Sequence, residues 1–244
     1  MVNKHTIRAA ALLCLVLLLS GCALIDRYFM EAPADTAQEL YENGNEAMQN
    51  KKYEDAADYF QKLKDRYPFS PYTLQAELSL GDAWFLAEKY GEASAAYKEY
   101  ESLHPRSEHI PYVLFQVGVS DYKQFASIDR PQTNINEALE YFYRLKEEHP
   151  DTKYAKESDY YIDKCRRFLA DHELYVADFY WKNEQYGPAW NRYEFVSQNF
   201  KDLPDIVQYA QKMSQLAYFE YQKNRSENER AKEHGSWKQW FDWL

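Results

Sequence analysis

Apolar positions follow two patterns along this chain. Ala9 to Leu19 is an unbroken apolar run, whereas from Asp35 onward apolar residues are interrupted by charge and recur in blocks. The blocks superimpose on their small residues and prolines. Gly44, Gly81 and Gly118 fall 37 residues apart, and Pro68, Pro105 and Pro150 follow Ala56, Ala93 and Ala138 by 12. Around these markers the first block carries Tyr53, Phe60 and Leu63, and the second Trp84, Tyr90 and Tyr97. The third carries Phe142 and Leu145, with about eight extra residues around Ser127 to Thr133. A weaker fourth has Ala177 for the glycine, then Tyr180, Tyr186, Ala189, Tyr193 and Val196, with Lys201 in the proline position. Each block predicts a helical hairpin: small residues where two helices cross closely, aromatics between helices, and a proline that stops the second helix because it has no N–H to donate.

Start signals are as regular as the stops. Thr36 and Glu39 have the spacing of a capping box, and Ser70-Pro71 predicts a cap followed by a first-turn proline. After each proline comes a small hydroxyl residue, Ser70, Ser107 or Thr152. The array departs from its own rule in three places. The segment Ala126 to Gln132, with Asp129-Arg130-Pro131, interrupts the third hairpin, as either a surface insertion or part of a binding face. Lys153 to Lys182 has no breaker and predicts one long helix, or two with a slight bend, of roughly 45 Å. Past a charged stretch from Ser226 to Glu233, Trp237, Trp240, Phe241 and Leu244 fall at i, i+3, i+4 and i+7, an amphipathic helical face. That tail suits a lid on the last hairpin or a contact for a partner better than a membrane contact, because it has no basic cluster.

These markers resemble the tetratricopeptide repeat. The fold class expected is all-α, a tetratricopeptide-repeat solenoid of about five helical hairpins in two lobes joined by a long helix, with a curved surface suited to binding other proteins. The apolar run near the start has another meaning. Lys4 and Arg8 precede it and Leu19-Ser20-Gly21-Cys22 ends it, which is a lipoprotein signal peptide with Cys22 as the lipidation site. Ala23 follows, so export to the outer membrane is the expected default. The organisation expected is a leader over 1–21, a lipidated tether over 22–34, repeat lobes over 35–150 and 151–224, and a tail over 225–244. From Cys22 to the first cap at Thr36 is about fourteen residues, a reach of at most roughly 45 to 50 Å.

Composition narrows the function. The formal net charge is −10, and loss of the leader removes two basic and no acidic residues, so nucleic acid is a poor partner. Of three cysteines, Cys14 leaves with the leader and Cys22 is lipidated, so Cys165 has no partner for a disulfide. No cofactor is implied. His104 and His149 precede repeat prolines, where Tyr67 and Phe200 stand in the other blocks, and no third ligand has sensible spacing for a metal. His172-Glu173 lacks a second histidine, and there is no phosphate loop or nucleophile elbow. An enzyme is not expected.

Three strings are more specific than the repeat. Arg66-Tyr67-Pro68-Phe69-Ser70-Pro71-Tyr72, Asp129-Arg130-Pro131-Gln132-Thr133 and His172-Glu173-Leu174-Tyr175-Val176-Ala177 resemble the BamD family of outer-membrane assembly lipoproteins, over about Asp35 to Leu203 plus the lipobox. The resemblance implies a non-enzymatic, periplasm-facing subunit of the β-barrel assembly machine, with no cofactor. Its partners would be the POTRA domains of a BamA-type barrel protein, other assembly subunits and nascent outer-membrane proteins. By position, Arg66, Tyr67, Phe69 and Tyr72 become substrate-pocket candidates, with the competing reading that Tyr67 and Phe69 are core. Asn191 and Arg192 become candidates for docking BamA. Trp237, Trp240 and Phe241 are tail-interface candidates outside the family pattern. The alternatives are a generic periplasmic repeat adaptor coordinating proteases or cell-wall enzymes, and a helical-scaffold lytic transglycosylase, which would need a further catalytic domain.

Overall fold

A computed structural model describes residues 35–234. The leader, the tether with Cys22, and the aromatic tail with Trp237, Trp240 and Phe241 lie outside the described residues. Within them are nine helices and no strand. They are α1 (Ala37–Gln49), α2 (Tyr53–Arg66), α3 (Thr73–Leu86), α4 (Tyr90–Leu103), α5 (Ile110–Lys123), α6 (Thr133–Glu148), α7 (Lys153–Lys182), α8 (Tyr186–Asn199) and α9 (Pro204–His234). Consecutive helices pack on one another throughout, and α7 also touches α5 and α9. The architecture is therefore an all-α solenoid: four hairpins, then α9 stacked on α8 as the first half of a fifth.

The small residues mark the helix crossings. A methyl group at Gly44, Gly81 or Gly118 would stand 2.5, 2.5 or 2.6 Å from a ring carbon of Phe60, Tyr97 or Phe142. Real carbon contacts start near 3.5 Å, so only hydrogen fits there. Ala177 takes this place in the fourth hairpin, buried in one cluster with Tyr193. Inside the first, second and fourth hairpins the turns share another device. Lys51, Glu88 and Glu184 have φ of 58°, 60° and 58°. In each, the next N–H reaches back to the carbonyl of Ala47, Trp84 or Tyr180, closing the helix in a Schellman cap normally built on glycine.

Two half-buried carboxylates clamp three helices each. Tyr97 of α4 and Tyr112 of α5 both donate to Asp82 Oδ1 of α3, at 2.6 and 2.5 Å. Tyr193 of α8 and Tyr209 of α9 do the same to Asp178 Oδ1 of α7, at 2.5 and 3.0 Å. Burial pushes the Asp82 carboxyl above its ordinary range, against the two hydroxyl bonds, which hold it down.

The capping box at Thr36 is formed, and α7 spans Lys153–Lys182 without interruption. Its first half packs on α5 and α6 through Tyr154, Tyr161 and Cys165, and its second half pairs with α8 through Leu174 and Ala177. The expected cap at Ser70-Pro71 is not a cap. The helix begins later, at Thr73, and Tyr72 occupies the N-cap without a side-chain bond. Ser70 instead shapes the turn: its N–H donates to the Tyr67 carbonyl and its Oγ accepts from the Tyr72 N–H. At the other end α9 runs unbroken through position 225 to His234, so the charged stretch begins as a continuation of that helix.

Candidate protein-binding surfaces

The turn between α2 and α3 holds the first set of candidates, and the fold divides them. Tyr67 is half-buried against the first hairpin's core, and its hydroxyl donates to the Asp35 carbonyl at 2.8 Å. Tyr72 stacks on Tyr41 with centroids 5.3 Å apart. These two rings hold the array together. Arg66 is exposed, and Phe69 is 99% exposed. The reading of Phe69 as core is thereby excluded, whereas for Tyr67 it is partly right.

The repeat supplies a control for Phe69. Three inter-hairpin turns share one geometry, in which the N–H of Ser70, Ser107 or Thr152 donates to the carbonyl of Tyr67, His104 or His149. In the second and third turns the position of Phe69 is taken by Arg106 and Asp151, both exposed. The turn therefore does not require an aromatic there. At the second of these turns lies a groove of about 450 Å³ lined by Leu103, His104, Arg106 and His109, with Leu74 of α3. Leu74 and Leu103 are 45% and 54% exposed, and His104 Nε2 meets Glu77 at 2.5 Å. The sequence reading passed over this groove, because Leu74 and Leu103 look like ordinary helix residues until the turn brings them together.

Asn191 and Arg192 are exposed on α8, with Phe195 (45% exposed) one turn further on. Arg192 is not a free charge. Its guanidinium donates to Glu173 Oε2 at 2.6 Å, tying α8 to α7. A similar tie lies further along: Arg166 of α7 meets Asp202 and donates to the Asn199 carbonyl, holding the Asp202 carboxyl below the usual range. Tyr175 and Phe179, 48% and 56% exposed, were not singled out individually by the sequence. An aromatic in a helix that elsewhere buries aromatics does not reveal its own exposure.

No helix of the described residues is long and apolar enough to cross a membrane. A family model described as outer membrane lipoprotein, YfiO, matches residues 33–234. An outer membrane protein assembly factor BamD of Rickettsia prowazekii is 32% identical over 199 residues, which is 81% of this chain and 78% of that protein. The protein of the same name from Neisseria meningitidis serogroup B is 25% identical over 222 residues, 86% of this chain and 83% of its own. That from Caulobacter vibrioides is 26% identical over 157 residues, 64% of this chain and 52% of its length. Among solved structures, the first tetratricopeptide repeat domain of Spaghetti aligns with a TM-score of 0.42 at 20% identity, over 58% of this chain and 98% of that one. With the family model matched across all the described helices, the chain belongs to the YfiO family of outer membrane lipoproteins, in which its curated relatives are BamD assembly factors.

Proposed function

We propose that this chain is a non-enzymatic subunit of the outer-membrane β-barrel assembly complex, anchored to the outer membrane through lipid on Cys22 and facing the periplasm. Its C-terminal half docks on the POTRA domains of a BamA-type barrel protein, and its N-terminal turn region meets nascent barrel proteins. The names of the relatives support the assembly role. The observation that carries the substrate surface is Phe69: a phenyl ring 99% in water, at a turn position that the other hairpins fill with arginine or aspartate. Covering such a ring with a partner is worth about 1.5–3 kcal/mol, which favours an apolar or aromatic segment. Arg66 beside it offers a charge for a carboxylate.

The test is a pull-down of the tagged, lipidated chain from detergent-solubilised envelopes. Recovery of a POTRA-barrel protein, lost on Arg192→Glu, is expected. Recovery of only proteases or murein enzymes would mean a generic adaptor instead. For the substrate surface, photo-crosslinking of nascent barrel proteins from position 66 should fall about tenfold with Phe69→Ser. Phe69 packs on nothing, so the variant should melt like the parent.

A further inference from the structure

The last described helix is longer than the one it packs on: α9 has 31 residues and α8 has 14. Tyr221 marks where α9 draws level with the start of α8. Its ring stacks on Trp190, and a methyl group at Gly187 would stand 3.1 Å from it. The rest of α9 runs past the body of the array by about 20 Å. Every residue from Arg225 to Lys232 is exposed. A solvated helical stretch of this length is marginal by itself, since most helical stability comes from packing one face.

The overrun leaves a notch of about 500 Å³. Tyr186 and Tyr221 line it where α8 begins, and Arg225, Asn228 and Lys232 line it along α9. Tyr221, Arg225, Asn228 and Lys232 are spaced i, i+4, i+7 and i+11, so they share one helical face. Tyr186 in turn sets its edge against Trp181, centroids 5.1 Å apart. The notch is therefore aromatic at one end and carries mixed charge at its rim, where Arg225 pairs with Glu229 at 3.0 Å.

We propose that the aromatic segment Trp237–Leu244 of this same chain fills the notch as a short helix antiparallel to the overrun, closing the last unit of the array. Three features select this occupant. Gly235-Ser236 separates the segment from α9, and two residues suffice to reverse direction between antiparallel helices. Trp237 to Leu244 as a helix covers about 10 Å, the same span as Arg225 to Lys232. The apolar face of Trp237, Trp240, Phe241 and Leu244 is flanked by Lys238 and Asp242. The reversal turns Lys238 toward Glu229 and Asp242 toward Arg225. A segment tethered this closely also competes at an effective concentration of about millimolar.

The experiment uses the full lipidated chain in detergent with a photo-crosslinker at position 228. The link expected is to the peptide 237–244 of the same molecule, found by mass spectrometry in product that migrates as a single chain. Trp240→Ser with Phe241→Ser should cut that link about tenfold and speed amide exchange over 222–232 about tenfold. Trp243→Ser, off the apolar face, should leave both within about twofold. Neither change touches a buried residue of the described helices, so exchange in α3 to α5 should stay as in the parent. Links to a second copy, to another protein or to lipid in place of the tail would overturn the proposal. So would exchange over 222–232 that ignores the double substitution. None of these readouts involves the assembly partner.

Discussion

Gly81→Ala is a direct test of the helix crossings. On an ordinary exposed helix this change is stabilising by about 1 kcal/mol, since alanine is the better helix former. Here the new methyl would sit 2.5, 2.7 and 2.9 Å from Cε1, Cδ1 and Cζ of Tyr97. The ring must retreat by about 1 Å to reach normal contact. It has little room. Tyr97 is fully buried, its edge lies against Tyr112, and its hydroxyl is bonded to Asp82, the residue after Gly81 on the same helix. Overpacking costs about 1–3 kcal/mol, and weakening the hydroxyl–carboxylate bond adds about 1. Against the propensity gain, the net loss is about 1–3 kcal/mol. Gly91→Ala is the control: its methyl would meet only Gln124 Oε1, at 3.5 Å, so it should gain about 0.5–1 kcal/mol. Urea midpoints should be read together with amide exchange in α3 to α5, because repeat arrays can unfold in parts. Equal stabilisation by the two substitutions would refute the close-crossing argument.

Other outcomes follow from the same geometry. Folding raises the Asp82 pKa above 3.8, so the folded state keeps that proton to higher pH than the unfolded chain. Its stabilising contribution is present in acid and lost as pH rises through the folded value, so Asp82→Asn should make stability decline less with pH over that range. Asp202, held low by Arg166, has the opposite sign: its contribution is present above 3.8 and lost as pH falls, and Asp202→Asn should flatten the acid limb of a pH titration. Burial pushes the Cys165 thiol up to about 12, so alkylation at pH 8 should be at least roughly a thousandfold slower than in the urea-unfolded chain; fast labelling of the native protein would contradict its burial. Glu88→Gly relieves a left-handed residue with φ of 60° and should raise stability by about 0.5–1 kcal/mol, seen as a melting temperature about 1–4 °C higher.

Much of this architecture can be read from single positions. Glycine or alanine at each crossing, an aromatic on the second helix and, in three of the four, a proline after it encode a hairpin locally, because burial within a hairpin depends on residues sixteen apart on two helices, or twenty-four where the loop lengthens the third. The absence of breakers from Lys153 to Lys182 likewise determined α7. What the sequence could not show is which residues the stacking leaves in water. Phe69 and Tyr72 are both aromatics in one turn, yet one is solvated and the other stacks on Tyr41. Arg192 reads as a surface charge until Glu173, 19 residues away, pairs with it. The interrupting loop acquires its position through Phe168, which stacks on Phe125, and through His172, 44 residues from Ile128. The repeat rule is written in short-range spacing and survives as pattern. The surfaces depend on how hairpins are rotated against one another and where an irregular loop comes to rest, which only the packed tertiary structure decides.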